Sequence, residues 1–293
     1  MLTGAEKQKG TNTMKIAAIG DIHGNHYALE ACMERIEKLH IRTIVFLGDY
    51  ISDCPCPEKT ISLLRQARKK YQTYFVRGNR EDYMLSHHDD PNDGWTYGSR
   101  YGSLLYTYDH LTEEDLSWFR NMPESMQVHI DGIESFEICH GSMKTNRYLL
   151  LPGSSEWEMT PESMKTDLLL CAHSHQSFIH EVHGKWIVNG GSVGVNVQDR
   201  IDADFAVIEY SKNRWIPQLI RVPYDTDSAI KEFYESGFID KANVWARAVM
   251  GILKTGRHYA MECLQTVNRM KAETNTDQDE EYLWESVARS LGI

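Results

Sequence analysis

The stretch MKIAAIGDIHGN at residues 14–25 decides the fold of this chain. Its apolar run, residues 15–19, predicts a buried strand. Asp21 and His23 follow directly after this run. The first polar residues after a strand project from the sheet edge into the crevice where α/β proteins bind ligands. We therefore expect both side chains to face a site.

Four later segments repeat this arrangement. They place the following residues behind apolar runs: Asp49, Asn79, His140, and the pair His173 and His175. With Asp21 and His23 they make seven candidate ligands. A two-metal hydrolase needs roughly four protein ligands per ion, with the ions about 3.5–4 Å apart, so the inventory fits if Asp49 bridges. Imidazole, carboxylate and amide-oxygen ligands suit Mn, Fe or Zn better than Ca.

The order of apolar runs and amphipathic stretches predicts an α/β fold. Strands are predicted at residues 15–19, 43–47 and 73–76, and helices at 27–39 and 58–70. This alternation indicates parallel strands with right-handed crossovers. Short strands and hairpins are predicted later, at residues 127–130, 135–139, 167–171, 178–182, 186–188, 205–210 and 215–222. We expect two facing sheets with helices outside them.

Six short blocks occur in order along the chain. They are GDIHGN (20–25), LGDYISD (47–53), GNRED (78–82), CHG (139–141), AHSHQ (172–176) and NGGSVG (189–194). In type, order and spacing these blocks resemble the calcineurin-like metallophosphoesterase superfamily, in particular its branch of bacterial small phosphodiesterases and dinucleoside-polyphosphate hydrolases. The resemblance implies a four-layer α/β/β/α sandwich followed by a C-terminal helical extension.

The resemblance also implies how the ligands divide between two metals. The first metal would be held by Asp21, His23, Asp49 and His175. The second would be held by Asp49, Asn79, His140 and His173. Taken singly, Asp and Asn after Gly are ordinary turn formers, because their side chains bond their own backbone. The convergence of all seven residues favours metal binding.

Arg80 departs from the best-known members, which carry His after the Asn of the third block. A guanidinium does not donate its proton near neutral pH, but it can hold a phosphate oxygen bidentately. The alternative is a surface salt bridge from Arg80 to Glu81 or Asp82. Asn25 either faces the substrate phosphate or caps a helix that begins near His26, and capping alone would explain it.

Three regions are predicted along the chain: a polar, disordered segment at residues 1–13, a catalytic domain at 14–224 and a helical extension at 225–293. The extension carries three apolar stripes at helical spacing, the third of them after a polar linker at residues 271–281. The stripes are Val244, Trp245, Ala248, Val249 and Ile252; Tyr259, Cys263, Val267 and Met270; and Tyr282, Leu283, Val287 and Leu291. They pack either on the sandwich or on another subunit, and the second arrangement would make a homo-oligomer.

Two further clusters allow both a structural and a functional interpretation. Residues 95–110 contain Trp95, Tyr97, Tyr101, Tyr106 and Tyr108. Such rings could stack a nucleotide base, but the helical spacing of Tyr97, Tyr101 and Leu104 favours packing against the sandwich. His87 and His88 precede three aspartates, and a turn at residues 91–94 explains this cluster better than another metal site does.

Composition narrows the classes of function. A net charge of −11 argues against nonspecific nucleic-acid binding, which needs a Lys/Arg surface. No segment approaches the roughly 18 apolar residues of a membrane span, and the amino terminus lacks the apolar region of a signal peptide. The six cysteines do not form a disulfide framework, which indicates reduced thiols. We expect a cytoplasmic protein without a membrane partner.

The expected activity is that of a two-metal phosphohydrolase. Two divalent ions, Mn²⁺ or Fe/Zn, lower the pKa of water, and the hydroxide cleaves a phosphoester or phosphoanhydride bond of a small phosphodiester or nucleotide. Asp49, Asn79 and Arg80 are the predicted catalytic residues. One alternative is a serine/threonine phosphoprotein phosphatase, although Cys54 and Arg80 stand where those enzymes have Arg and His. The other is a noncatalytic metal-binding scaffold that acts through residues 225–293.

Overall fold

The computed structural model describes residues 13–274 and 280–293. The predicted disorder of residues 1–13 falls almost entirely outside this part of the chain. The strands are β1 (Met14–Ile19), β2 (Thr43–Phe46), β3 (Gln72–Phe75), β4 (Ser125–Val128), β5 (Phe136–Cys139), β6 (Leu168–Cys171), β7 (Phe178–Val182), β8 (Lys185–Asn189), β9 (Ala203–Ser211) and β10 (Arg214–Val222). The helices are α1 (His26–Lys38), α2 (Pro57–Lys70), α3 (Asn79–Asp89), α4 (Gly102–Asp109), α5 (Glu113–Arg120), α6 (Ser155–Ser163), α7 (Thr226–Glu235), α8 (Phe238–Thr255), α9 (Tyr259–Thr274) and α10 (Glu280–Leu291).

The strands form two five-stranded sheets. The first has the order β10-β9-β1-β2-β3, in which β1, β2 and β3 are parallel and β9 runs antiparallel to β1. The second has the order β4-β5-β6-β8-β7, in which β5, β6 and β8 are parallel. The carboxyl ends of the parallel strands in each sheet therefore share one edge, which is where the polar blocks of the sequence lie.

Both faces of β1, in the middle of the first sheet, are buried. Ile16 and Ala18 point into the core between the two sheets, whereas Ala17 and Ile19 pack towards α1 and α2. This is the two-residue period of a strand with apolar residues on both faces. Helix α6 covers the outer face of the second sheet through Trp157. The expected four-layer α/β/β/α sandwich is confirmed.

The C-terminal helices pack back on the rest of the chain. Phe238 at the start of α8 is wholly buried and meets the ring of Tyr106 in α4 edge-on. The predicted stripes thus find partners within this chain, and the association of two copies stays a prediction. Helix α7 lies within the predicted helical extension, although none of the three predicted stripes belongs to it. Tyr282 is 64% exposed, so its place on the third stripe was wrong.

Three smaller expectations concern the linker, the thiols and the membrane. Helix α9 continues to Thr274 and α10 begins at Glu280, so the helices use part of the predicted linker at residues 271–281. All six cysteines are free and buried. Within the described ranges, no helix has the length and apolar character needed to cross a membrane.

Candidate metal centre

The predicted ligands meet at the strand ends between the two sheets. Asp21 and His23 follow β1, Asp49 follows β2 and Asn79 opens α3 after β3; His140 follows β5, and His173 and His175 follow β6. The turns approach one another so closely that only glycine fits at some positions. A Cβ on Gly78 would lie 2.2 Å from Oδ1 of Asp49. All seven residues are buried or nearly so.

The first group consists of Asp21, His23 and His175. The Nε2 atoms of the two histidines lie 3.0 Å apart, and Oδ1 of Asp21 lies 3.7 Å from Nε2 of His175. Nδ1 of His175 donates to the carbonyl of Val195 over 2.6 Å, and Nδ1 of His23 lies 3.0 Å from a carboxylate oxygen of Asp53. These partners favour protons on both Nδ1 atoms. The unprotonated Nε2 atoms of His23 and His175 and the carboxylate of Asp21 then face one point. A cation bound at that point would stabilise this arrangement.

The second group consists of Asp49, Asn79, His140 and His173. Nδ1 of His140 donates to the carbonyl of Leu47 over 2.7 Å. Its Nε2 lies 3.1 Å from both Oδ1 of Asn79 and Nδ1 of His173, and 3.4 Å from Oδ2 of Asp49. Ligand atoms of the types that divalent ions accept again converge on one point.

Asp49 lies between the two groups. Its Oδ2 is 3.8 Å from Nε2 of His23 and 3.4 Å from Nε2 of His140. Its Oδ1 accepts the backbone N–H of Arg80 over 2.8 Å, which fixes the carboxylate. This is the placement that the predicted bridge requires, although the bridging role itself stays a prediction.

The electrostatics of the site also fit bound cations. Oδ1 of Asp21 is buried without a hydrogen-bond partner, and burial raises the pKa of this carboxyl to about 6. Burial lowers the pKa of His173 to about 4, helped by the charge of His140, and it also lowers the pKa of His175. Burial would lower the pKa of His140 too, but Asp49 outweighs it and raises that pKa to about 9. The carboxylate of Asp49 thus favours a positive charge beside it, which is the charge that a bound cation would supply.

Two clusters with metal-binding geometry occur among the described residues, and both belong to this site. The cluster around His87 is not one of them. Nδ1 of His87 lies 2.9 Å from the carboxylate of Asp93, and its ring stacks on Trp95 at a centroid distance of 4.2 Å. Nδ1 of His88 lies 3.0 Å from the hydroxyl of Tyr108. These contacts agree with the structural interpretation of the two histidines.

Arg80 points into the site and pairs with Asp53. Its Nη2 lies 2.9 Å from Oδ2 of Asp53, and its side chain is 18% exposed. The alternative partners are engaged elsewhere: Glu81 accepts backbone N–H groups of Asp49, Tyr50 and Gly78, and Asp82 pairs with Arg77. The alternative interpretation of Arg80, a surface salt bridge to Glu81 or Asp82, is therefore wrong. Burial would lower the pKa of Arg80, but the charges of Asp53 and Asp49 raise it, so the guanidinium stays charged.

Asp53 connects several parts of the site, and no role was predicted for it. Its Oδ2 contacts both Arg80 and His23, and its Oδ1 accepts the indole N–H of Trp245 over 2.8 Å. One buried carboxylate therefore connects a candidate phosphate-binding residue, a candidate metal ligand and helix α8. In the sequence, the one feature that could have pointed to Asp53 is its position as the second carboxylate of the LGDYISD block.

Asn25 has all its polar atoms engaged within the protein. Its Oδ1 accepts the backbone N–H of Ala28 over 3.1 Å, so it caps α1 as expected. Its Nδ2 donates to the carbonyl of Gly194 and to the hydroxyl of Tyr224. A phosphate would have to replace one of these bonds, and a substrate role for Asn25 stays a prediction.

A cavity of about 710 Å³ opens beside the metal centre. We call Asn79, Arg80, Arg147 and His173 its metal wall. We call Trp245, Met261, Leu264 and Trp284, all on the C-terminal helices, its helical wall. Further lining comes from Tyr83, Ser86, Asp93, Trp95, Arg100, Tyr101 and Leu104. Ligand pockets commonly measure about 300–1,000 Å³, so the cavity can hold a small organic phosphate.

Comparison with known proteins agrees with this geometry. The calcineurin-like phosphoesterase superfamily domain matches residues 14–213. An uncharacterized protein of Methanocaldococcus jannaschii is 24% identical over 253 residues, which are 78% of this chain and 94% of that protein.

Two solved structures show the same fold. A hypothetical protein of Pyrococcus horikoshii OT3 has a TM-score of 0.71 at 21% identity, over 83% of this chain and 98% of that one. A metallophosphoesterase of Sphaerobacter thermophilus has a TM-score of 0.65 at 20% identity, over 84% of this chain and 100% of that one. Because the family match spans more than half of its length, this chain belongs to the calcineurin-like phosphoesterase superfamily and is a metal-dependent phosphoesterase.

Proposed function

We propose that this protein is a two-metal phosphohydrolase that cleaves phosphoester or phosphoanhydride bonds of a small phosphodiester or nucleotide. The observation that carries the proposal is the position of Asp49. Its Oδ2 lies within 3.8 Å of His23 and 3.4 Å of His140, which belong to different ligand groups. A carboxylate in this position can hold two ions at the short separation that two-metal hydrolysis requires.

When bound, two divalent ions supply a nucleophile by lowering the pKa of water, and they offset the charge of the phosphoryl oxygens. The protein holds the ligand atoms in place. The carbonyls of Leu47 and Val195 orient His140 and His175, and Asp53 orients His23. Such outer contacts fix the tautomer and the direction of each imidazole.

Arg80 binds phosphoryl oxygens in this proposal. Its guanidinium stays charged beside the site and can donate two parallel hydrogen bonds to a phosphate. It stabilises charge that develops in the transition state, and it leaves the protonation of the leaving group to solvent or substrate. This division of tasks suits leaving groups that need little proton donation, such as phosphates and acidic alcohols.

A small substrate is favoured over a phosphoprotein by the shape of the cavity. The C-terminal helices contribute Trp245, Met261 and Leu264 to the lining of the cavity beside the metal centre, so they bound it on that side. Cys54 and Arg80 also differ from the Arg and His of the related protein phosphatases. A panel of phosphopeptides and dinucleoside polyphosphates would separate the two activities. Preferred cleavage of phosphopeptides would contradict this choice of substrate.

The proposal is tested with bis(p-nitrophenyl) phosphate and p-nitrophenyl phosphate. Metal-stripped protein should be inactive, and Mn²⁺ should restore turnover. Asp49→Asn should fold normally and stay inactive with Mn²⁺. Asp227→Asn is the matched control, because this residue is exposed on α7 and loses the same charge. Full activity of Asp49→Asn would overturn the mechanism.

A further inference from the structure

The cavity beside the metal centre has a charged part and an apolar part in its lining. The metal wall contributes Arg80 and Arg147 together with Asn79 and His173. The helical wall contributes two indoles, a thioether and an aliphatic side chain. The two parts meet at Asp53, which contacts both Arg80 and Trp245. A molecule that fills the cavity must therefore combine an anionic group with a largely apolar one.

Of the two arginines in the metal wall, Arg147 has fewer charged partners. Among residues 13–274 and 280–293, no carboxylate lies within ion-pair distance of its side chain. Its guanidinium carbon lies 4.9 Å from the centre of the Tyr83 ring, and that of Arg80 lies 5.9 Å from the same ring. Arg147 and the candidate ligand His173 line the same cavity, so this segment borders the metal centre. Two cations therefore flank one tyrosine beside the ligands.

The apolar part of the lining, formed by Trp95 and the helical wall, contains flat rings that are held in place. Trp95 stacks on His87, and the two ring planes are 3° from parallel. Trp245 is held by its hydrogen bond to Asp53. Arg100 also lines the cavity, but its charge is paired with Glu280 over 3.2 Å. The apolar part thus offers flat rings whose orientations are already fixed.

We propose that the apolar part of the cavity lining binds the nucleobase of a nucleotide, and that Arg147 binds a phosphate next to the one at the metal centre. This inference rests on the proposed function and narrows its substrate to nucleotides with at least two phosphates. Aromatic faces stack any base, and rings held in advance lose little conformational freedom on binding. The C-terminal extension is then part of the substrate site, since it supplies the helical wall.

The inference also revises the interpretation of residues 95–110. Packing was the favoured role of the five aromatic residues, and Tyr106 does pack against Phe238. Trp95 and Tyr101 also pack against the main core, as expected, and in addition line the cavity. These two residues therefore combine packing with the proposed base-binding surface.

The test is calorimetric titration of the Mn²⁺-loaded protein with two matched ligands. Adenosine 5′-monophosphate and ribose 5-phosphate carry the same phosphate and sugar, and only the first has a base. We expect the first to bind about tenfold more tightly, the effect of one stacked base. Leu264→Trp should fill the cavity and abolish this difference. Gln265→Trp, the next residue on α9 and exposed, should retain it.

A third ligand tests Arg147. Adenosine 5′-(α,β-methylene)diphosphate, in which a P–C–P link replaces the cleavable anhydride, should bind several-fold more tightly than the monophosphate to the wild type, and Arg147→Gln should remove this gain. Equal affinity for the monophosphate and ribose 5-phosphate would overturn the inference, as would an unchanged difference in Leu264→Trp. If base-dependent binding occurs without hydrolysis of any phosphoester, the proposed activity fails and the base site stands. If bis(p-nitrophenyl) phosphate is cleaved without base-dependent binding, only the base site fails.

Discussion

The metal centre consists of residues at strand ends, many of them in left-handed backbone conformations, whereas the helical wall of the cavity consists of side chains on regular helices. The residues with positive φ are Asp21 (53°), His23 (51°), Asp49 (53°), His173 (67°) and His175 (56°). Such conformations cost of order 1–3 kcal/mol each in residues other than glycine. They persist because the surrounding turns are tied together, as where the N–H of His23 donates to the carbonyl of Asp49 over 3.0 Å.

This contrast indicates that the metal centre tolerates substitution less well than the helical wall does. A metal ligand must be aimed within a fraction of an ångström, and the sandwich fixes it through buried turns between two sheets. The helical wall only has to offer apolar surface of suitable shape. Substitutions in the metal centre should therefore abolish the reaction, whereas substitutions in the helical wall should change affinity and preference.

The largest expected effect comes from His140→Asn. This substitution removes the imidazole that lies between Asp49, Asn79 and His173. Metal-dependent turnover should fall to background. Mn²⁺ should also lose most of its effect on thermal stability, because a ligand that binds only the native state stabilises it in proportion to its affinity. Melting curves with and without Mn²⁺ measure this directly.

His183→Asn is the matched control for that experiment. His183 is exposed in the β7–β8 turn, and Asn tolerates its positive φ of 53°. It should retain both turnover and the Mn²⁺-induced rise in melting temperature. Normal Mn²⁺ stabilisation of His140→Asn would show that the second ligand group does not hold a metal.

Asp53→Asn should have the next largest effect. The substitution leaves the volume unchanged but removes the charge that holds Arg80 and orients His23. Loss of an outer contact to a metal-ligating histidine typically costs about 10–100-fold in metal affinity or activity. We expect a loss in this range in kcat/KM, together with a higher Mn²⁺ concentration for half-maximal activity. A variant with wild-type metal dependence would limit Asp53 to a structural role.

Trp245→Phe tests the helical side of the same network. It removes the N–H that bonds to Asp53 but keeps an aromatic ring in the cavity. Because Arg80 and His23 still contact the carboxylate, the loss in kcat should stay below that of Asp53→Asn. KM for nucleotides should rise by a few-fold. A larger loss in kcat than Asp53→Asn produces would mean that the extension, rather than the sandwich, controls the metal centre.

The metal ligands could be predicted from the sequence, whereas the contact between the helical wall and the metal centre could not. The difference has a physical reason. Asp21, Asp49 and His140 could be assigned because strand ends in parallel sheets meet at one edge, whatever the rest of the chain does. The contact of Trp245 with Asp53 joins residues 192 positions apart. It depends on how α8 docks and on a break in that helix at Asn243, where φ is 45° and ψ is −120°. Apolar periodicity places Trp245 on a buried stripe but does not indicate where its indole N–H points.

The smallest expected effect concerns the attachment of the extension to the sandwich. Glu232 on α7 lies 2.9 Å from Nε2 of His26 on α1 and pairs with Lys59 on α2. Burial would raise the pKa of Glu232, but these two partners outweigh it and lower the pKa to about 2. Because the folded pKa lies below the unfolded value, this carboxylate stabilises the protein above about pH 4.5. The contribution is lost as the pH falls towards 2.

Urea unfolding of the metal-stripped protein at pH 5 and pH 3 should reveal this contribution. Glu232→Gln should be less stable than the wild type at pH 5, and the difference should shrink at pH 3. Glu235→Gln lies on the same helix but pairs with Lys231 at the surface, where ion pairs contribute little. It should match the wild type at both values. If the deficit of Glu232→Gln does not depend on pH, packing rather than charge attaches α7 to the sandwich.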